Sequence, residues 1–131
     1  MKYKLVKETK PKLPTFGKYK AKTIHHRTVS SDEIIREVAL RDGIDEGAVT
    51  TIMMGLSHVI NYHLRQGDKV KLYTWGTMKL EIESEKVDDP KDFKAKKHIR
   101  GVRLHFIPES YEGSQPLYEG ITYEKDKLYS E

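Results

Sequence analysis

The chain has 131 residues, a formal net charge of +4, 37% hydrophobic and 34% charged residues, and no cysteine. That length suits one domain and strains at two, while the missing cysteines exclude a disulfide framework and any thiolate metal site. No run approaches the ~18 apolar residues of a membrane span. Met1-Lys2-Tyr3-Lys4 is not followed by the apolar stretch of a secretory signal, so a cytoplasmic protein is expected.

Charge is unevenly spread. Residues 1–27 hold nine Lys/Arg and one acid, Glu8, whereas residues 109–131 hold six acids and two lysines. A basic segment can neutralise phosphates and release their counterions, or it can simply be solvated. The acidic tail has the same bland reading. Its sharper reading is a polyanion mimic that folds onto basic residues elsewhere and competes with nucleic acid.

Residues 3–6 alternate polar and apolar as a strand does, and residues 18–24 alternate strictly, with Tyr19 and Ala21 on one face and lysines on the other. Pro11, Pro14 and Gly17 make the intervening segment a loop. Ser30-Ser31-Asp32-Glu33 fits a capping box with Ser30 at the N-cap, opening a helix whose apolar face is Ile34, Ile35, Val38 and Ala39. Asp42-Gly43 ends it, and Asp45 is suited to cap the next. The second helix is predicted from Glu46 to Arg65, with a wide stripe of Val49, Ile52, Met53, Leu56, Val59, Ile60 and Leu64. One short neighbouring helix cannot cover twenty residues of stripe, which points to several packed elements or a second subunit.

Gln66-Gly67-Asp68 stops the long helix. Val70, Leu72 and Thr74 then alternate with Lys69, Lys71 and Tyr73, and Met78, Leu80 and Ile82 alternate with Lys79, Glu81 and Glu83. This predicts a β-hairpin turning at Thr74-Trp75-Gly76-Thr77 with one buried face. Trp75 is expected to anchor the core beneath a helix. Residues 84–97 are polar with no sustained period. Ile99 to Ile107 reads as a last strand ended by Pro108, and residues 109–131 as mostly irregular chain.

In order and spacing, residues 28–108 resemble the histone-like HU and integration host factor family. The marks are the two-helix start, Gly67-Asp68-Lys69-Val70 entering the strands, Trp75-Gly76-Thr77 at the hairpin, and Phe106-Ile107-Pro108 at the close. The added N-terminal strands, Tyr3-Lys4-Leu5-Val6 and Lys18-Tyr19-Lys20-Ala21, look most like the HU-related DNA-binding proteins of Bacteroidetes. The resemblance implies an α+β fold with a helical base of two N-terminal helices, an antiparallel β-sheet with an extended arm at about 84–98, and an intertwined homodimer. The organisation expected is a basic strand extension over 1–27, an HU-like domain over 28–108 and an acidic tail over 109–131. The implied function is architectural binding of double-stranded DNA with weak sequence preference, on the nucleoid, through phosphates and the minor groove. In such a grip a proline at the arm tip wedges between base pairs, and sequence is read as deformability.

The residues expected to meet DNA are Lys86, Pro90, Lys91, Lys94, Lys96, Lys97, Arg100 and Arg103. Lys18, Lys20 and Lys22 could add to that surface. The tip departs from the family's Arg-Asn-Pro, reading Asp88-Asp89-Pro90, and Glu81 and Glu83 stand where the outgoing arm usually carries arginines. Two other readings therefore stand beside DNA bending. One is an HU-fold protein-interaction or scaffold module that has lost the DNA grip. The other, prompted by the eight tyrosines, is RNA or single-strand binding. Pro90 is either wedge or loop proline, and Phe93 is either a substitute wedge or a residue that packs back. No metal set is expected: His58 and His63 are five apart on the helix, and His25-His26 cannot both face one ion from a strand. No catalytic constellation, cofactor loop or small-molecule site stands out.

Overall fold

A computed structural model describes residues 1–109 and 115–127. These fall into two compact units: Met1–Ile34 with the described residues from Glu119 on, and Ile35–Tyr118.

In the first unit β1 (Lys2–Lys7) and β2 (Tyr19–Thr23) form an antiparallel pair, in the register Tyr3 opposite Thr23 and Lys7 opposite Tyr19. The Pro- and Gly-bearing segment between them turns tightly, with Gly17 in a left-handed conformation (φ 81°) and its N–H donated to Glu8 O at 3.0 Å. The third strand, β6 (Glu124–Lys125), lies parallel to β1, opposite Lys2 and Tyr3. This strand comes from the part of the tail expected to be irregular. The Met1 ammonium donates to Thr122 O at 2.7 Å and Asp126 N–H to Tyr3 O at 3.0 Å, which ties residues 122–126 to the N-terminal strand.

The helices form where caps and periodicity place them. Ser30 Oγ accepts the Glu33 N–H at 3.2 Å and opens α1 (Ser31–Asp42). The capping box is only half made, because the Glu33 carboxylate takes a 2.7 Å ion pair with Arg27. Asp45 accepts from Gly47 N and Ala48 N at 3.0 and 3.3 Å and caps α2 (Glu46–Arg65), whose limits agree with the prediction.

The second sheet has the order β3-β4-β5, all antiparallel: β3 (Val70–Leu72), β4 (Gly76–Ser84) and β5 (Ile99–Pro108). Met78 faces Phe106, Leu80 faces Leu104 and Ile82 faces Val102, so the alternating residues form one apolar face, but the face is not buried as expected: Ile82, Val102, Leu104 and Phe106 are exposed. Helix α2 packs on β3 and β4, and its buried residues are Val49 and Leu64. The turn comes earlier than predicted. Trp75 N–H bonds back to Leu72 O at 3.0 Å and Tyr73 takes φ 41°, so residues 73–75 make the turn and Gly76 already belongs to β4. Trp75 is correspondingly not a core anchor: it is 55% exposed, with its ring edge-on to Tyr73 at 6.3 Å. A Cβ on Gly76 (φ 153°) would collide with Ile107 O and lie 2.8 Å from Phe106 Cζ. Only glycine lets β4 approach β5 there.

The extended arm is replaced by a short folded connection. β4 stops at Ser84, and Glu85 N–H bonds to His98 O at 2.8 Å, closing the base of a tip over residues 85–98. Within it lie a 3₁₀ turn, Pro90–Asp92, and the helical turn α3, Ala95–His98. Lys96 and His98 therefore sit on a helical turn and not on a strand, with Lys94 just before it. After β5, Gln115–Tyr118 form a helical turn, α4.

Candidate nucleic-acid interface

The chemistry of interest sits on the tip between β4 and β5. Asp89 and Pro90 shape its first half. Pro fits the first helical position because its missing N–H has no partner there, and an aspartate before it can cap. Asp89 Oδ1 accepts the Lys91 N–H at 2.9 Å. One of the two carboxylates that depart from the family's tip is thus engaged locally as a cap. Asp-Pro was a legible signal for this turn, and the sequence reading passed over it.

Phe93 and His98 hold the second half. His98 is buried (8% exposed), and its Nδ1 accepts the Lys94 N–H at 2.8 Å. That bond assigns the ring proton to Nε2. The Phe93 ring lies 5.3 Å from the imidazole at a 32° tilt. Phe93 packs back onto the tip and is not presented as a free wedge. A lone histidine in a polar segment carries no pattern that would announce this role.

This scaffold presents lysines outward. Lys86, Pro90, Lys91, Lys94, Lys96 and Lys97 are all exposed. Among the described residues none of these five lysines makes an ion pair. Arg100 and Arg103 differ: Arg100 Nε lies 3.7 Å from Glu85 and Arg103 Nε 3.8 Å from Glu83. Arg100 is also the extra residue of a bulge, since Glu83 pairs with Gly101 and Ser84 with Ile99. The bulge bends β5 where it enters the tip.

The acids of β4 are likewise engaged. Glu81 accepts from Lys79 Nζ at 2.6 Å. The Lys79 hydrogen bond and charge, with smaller help from His105 and Arg103, hold its carboxyl below the ordinary 4.5, against a slight opposing effect of burial. Glu81 and Glu83 thus form ion pairs within the sheet. The tip itself carries five lysines against Glu85, Asp88, Asp89 and Asp92, with Asp89 engaged as a cap and Glu85 paired with Arg100.

Among the described residues no group of His, Asp or Glu side chains is arranged to hold a metal ion, and no helix is long and apolar enough to cross a membrane.

Residues 1–112 match the family HU-HIG, described as an HU domain fused to wHTH, Ig or a glycine-rich motif. No curated protein matches. Among solved structures, a candidate bacterial DNA-binding protein from Bacteroides vulgatus aligns over 95% of this chain with a TM-score of 0.65 and 14% identity. That likeness shows a shared fold. This chain spans 47% of the length of the Bacteroides protein. With the HU-type elements in order along the chain and the match running through both units, the chain belongs to the HU-HIG family.

Proposed function

We propose that this protein binds double-stranded DNA as an HU-type architectural homodimer with weak sequence preference, and performs no catalysis. The observation that carries the reading is the tip: five exposed lysines that make no ion pair among the described residues, on a segment braced by the Asp89 cap and the His98–Lys94 bond. Lysines on such a scaffold contact phosphates, which position a protein on a duplex without reading bases. Pro90 is exposed at the head of the 3₁₀ turn and offers an apolar group to the minor groove. Arg100 and Arg103 join the contact set by exchanging Glu85 and Glu83 for phosphate. Such a protein works on the nucleoid.

Exposed apolar surface supports the homodimer. Ile52, Leu56 and Val59 line a flank of α2, and Ile82 (64% exposed), Val102 and Leu104 lie on the apolar face of the sheet. Large apolar residues left exposed along a helix flank and a sheet face are unusual on a soluble monomer and support an interface. A second copy is the partner the family fold supplies.

Fluorescence anisotropy with a labelled duplex across a salt series tests the reading. Affinity is expected to fall steeply with salt. Charge reversal in K96E/K97E should weaken binding and flatten the salt dependence. No binding at low salt overturns DNA binding, and an unchanged K96E/K97E overturns the assignment to the tip.

A second reading has one specific observation behind it. The in-chain pairs Glu81–Lys79, Glu83–Arg103 and Glu85–Arg100 neutralise the basic residues of the sheet. An HU-fold scaffold that has exchanged DNA for a protein partner would look this way along its strands.

A further inference from the structure

The β1–β2 register sorts the residues of the N-terminal sheet onto two chemically different faces. Cross-strand partners share a face, as do alternate residues of one strand. Tyr3, Leu5, Ala21 and Thr23 therefore stand together, and with Met1 and Tyr123 they line a shallow apolar cavity of about 500 Å³. The opposite face carries Lys2, Lys4, Lys20 and Lys22, with Val6 between them. Lys4 is directly opposite Lys22, and Lys20 follows two positions away.

From this the geometry points to a second DNA contact: the lysine face of β1 and β2 binds duplex phosphates independently of the tip between β4 and β5. The inference rests on the reading of this chain as a DNA-binding protein. Four lysines in a patch two strands wide concentrate positive potential on one side of a thin sheet. Neither β1 nor β2 contributes an acid to that face; on the other side of β1, Glu124 of β6 stands opposite Lys2, and Asp126 follows it with its N–H bonded to Tyr3 O. Lys20 and Lys22 lie away from Glu124 on the edge strand, exposed, and among the described residues they make no ion pair. Along a strand, alternate side chains are ~6.6 Å apart, so the patch offers a regular row of ammonium groups to a phosphate backbone. Such contacts add affinity and orientation but carry no sequence information.

The test is duplex binding by anisotropy between 50 and 300 mM salt (about the range where counterion release is readable) for the full chain, K20Q/K22Q, K96Q/K97Q and the quadruple variant. Glutamine keeps the polar, flexible stem and removes the charge. Far-ultraviolet circular dichroism and the melting temperature check that each variant folds. K20Q/K22Q is expected to reduce the slope of log affinity against log salt by about 2, roughly one per lysine, equally for duplexes of different sequence. Near 0.1 M salt that corresponds to roughly tenfold weaker binding per lysine. The quadruple variant should lose the sum of both effects. An unchanged slope and affinity in a folded K20Q/K22Q, with K96Q/K97Q impaired, overturns the second contact and leaves the tip; those lysines then serve only to keep an edge strand from pairing with other chains. Impairment in K20Q/K22Q alone supports the N-terminal face and overturns the tip. Absence of duplex binding by the full chain at 50 mM salt overturns both.

Discussion

Lys94 donates its backbone N–H to the imidazole Nδ1 of His98, four residues on, at 2.8 Å. The bond ties the start of α3 to a buried ring that also contacts Phe93, and the Glu85 N–H bond to His98 O closes the same segment from the other side. One histidine thus sets the shape of the lysine-bearing tip.

His98→Ala removes an acceptor from a buried donor and leaves a void beside Phe93. The cost is expected at about 1–3 kcal/mol in urea denaturation. Amide exchange at Lys94 should accelerate. His98→Asn, which offers an acceptor oxygen near the Nδ1 position, should restore the Lys94 protection while recovering only part of the stability. Equal exchange in wild type and His98→Ala would show that the bond does not hold the tip.

Gly76 tolerates no side chain. Its φ of 153° and the approach of Ile107 O and Phe106 leave no space for a Cβ. Gly76→Ala should destabilise by roughly 3 kcal/mol or more, since β4 and β5 must separate at the hairpin. Gly55, which has open space around its Cβ position, is the control. Gly55→Ala should gain up to about 1 kcal/mol from helix propensity.

Glu81 gives the sheet an acid-dependent contribution. A carboxyl held below its ordinary value by Lys79 stabilises the fold at pH values above the ordinary 4.5. That contribution disappears as pH falls through the lowered value of the folded state. The stability difference between wild type and Glu81→Gln should therefore be constant at neutral pH and vanish in acid. High salt should shrink it throughout, because the pair is partly exposed. A difference that persists below the carboxylate range would assign the effect to packing.

Ile52 and Val59 lie seven residues apart on one flank of α2, 63% and 54% exposed. Sedimentation equilibrium should return a dimer for the full chain. I52K/V59K should shift it toward monomer, with a lower melting temperature that no longer depends on protein concentration. A monomer at micromolar concentration in the unmodified chain would overturn the homodimer.

Local signals were strong where the chemistry is local. Asp45 capping α2, Gly43 in a left-handed turn (φ 65°) after α1, and the alternation of Met78, Leu80 and Ile82 each follow from neighbouring residues, and each occupies its expected place. The failures involve contacts that are distant in sequence or short elements with weak periodicity. β6 pairs with β1 across more than a hundred residues, and two residues of strand leave no alternating pattern to read. Trp75 looked like an anchor because aromatics at hairpins usually pack, yet the positive φ of Tyr73 moves the turn and leaves the indole outside.

By itself the sequence determined the two helices, the three strands of the second sheet and their apolar face, because caps, glycines and hydrophobic period act over a few residues. It also determined that positive charge would gather from Lys91 to Arg103. Tertiary structure alone decided how that charge is presented. A segment of mixed polar residues is compatible with an extended arm or a folded tip, and the balance falls to the bond between Lys94 and a buried His98, the Asp89 cap and the closure of Glu85 onto His98. It also decided which cations are already satisfied. Cross-strand register brings Glu83 to Arg103 and the bulge leaves Arg100 beside Glu85, whereas among the described residues the tip lysines make no ion pair.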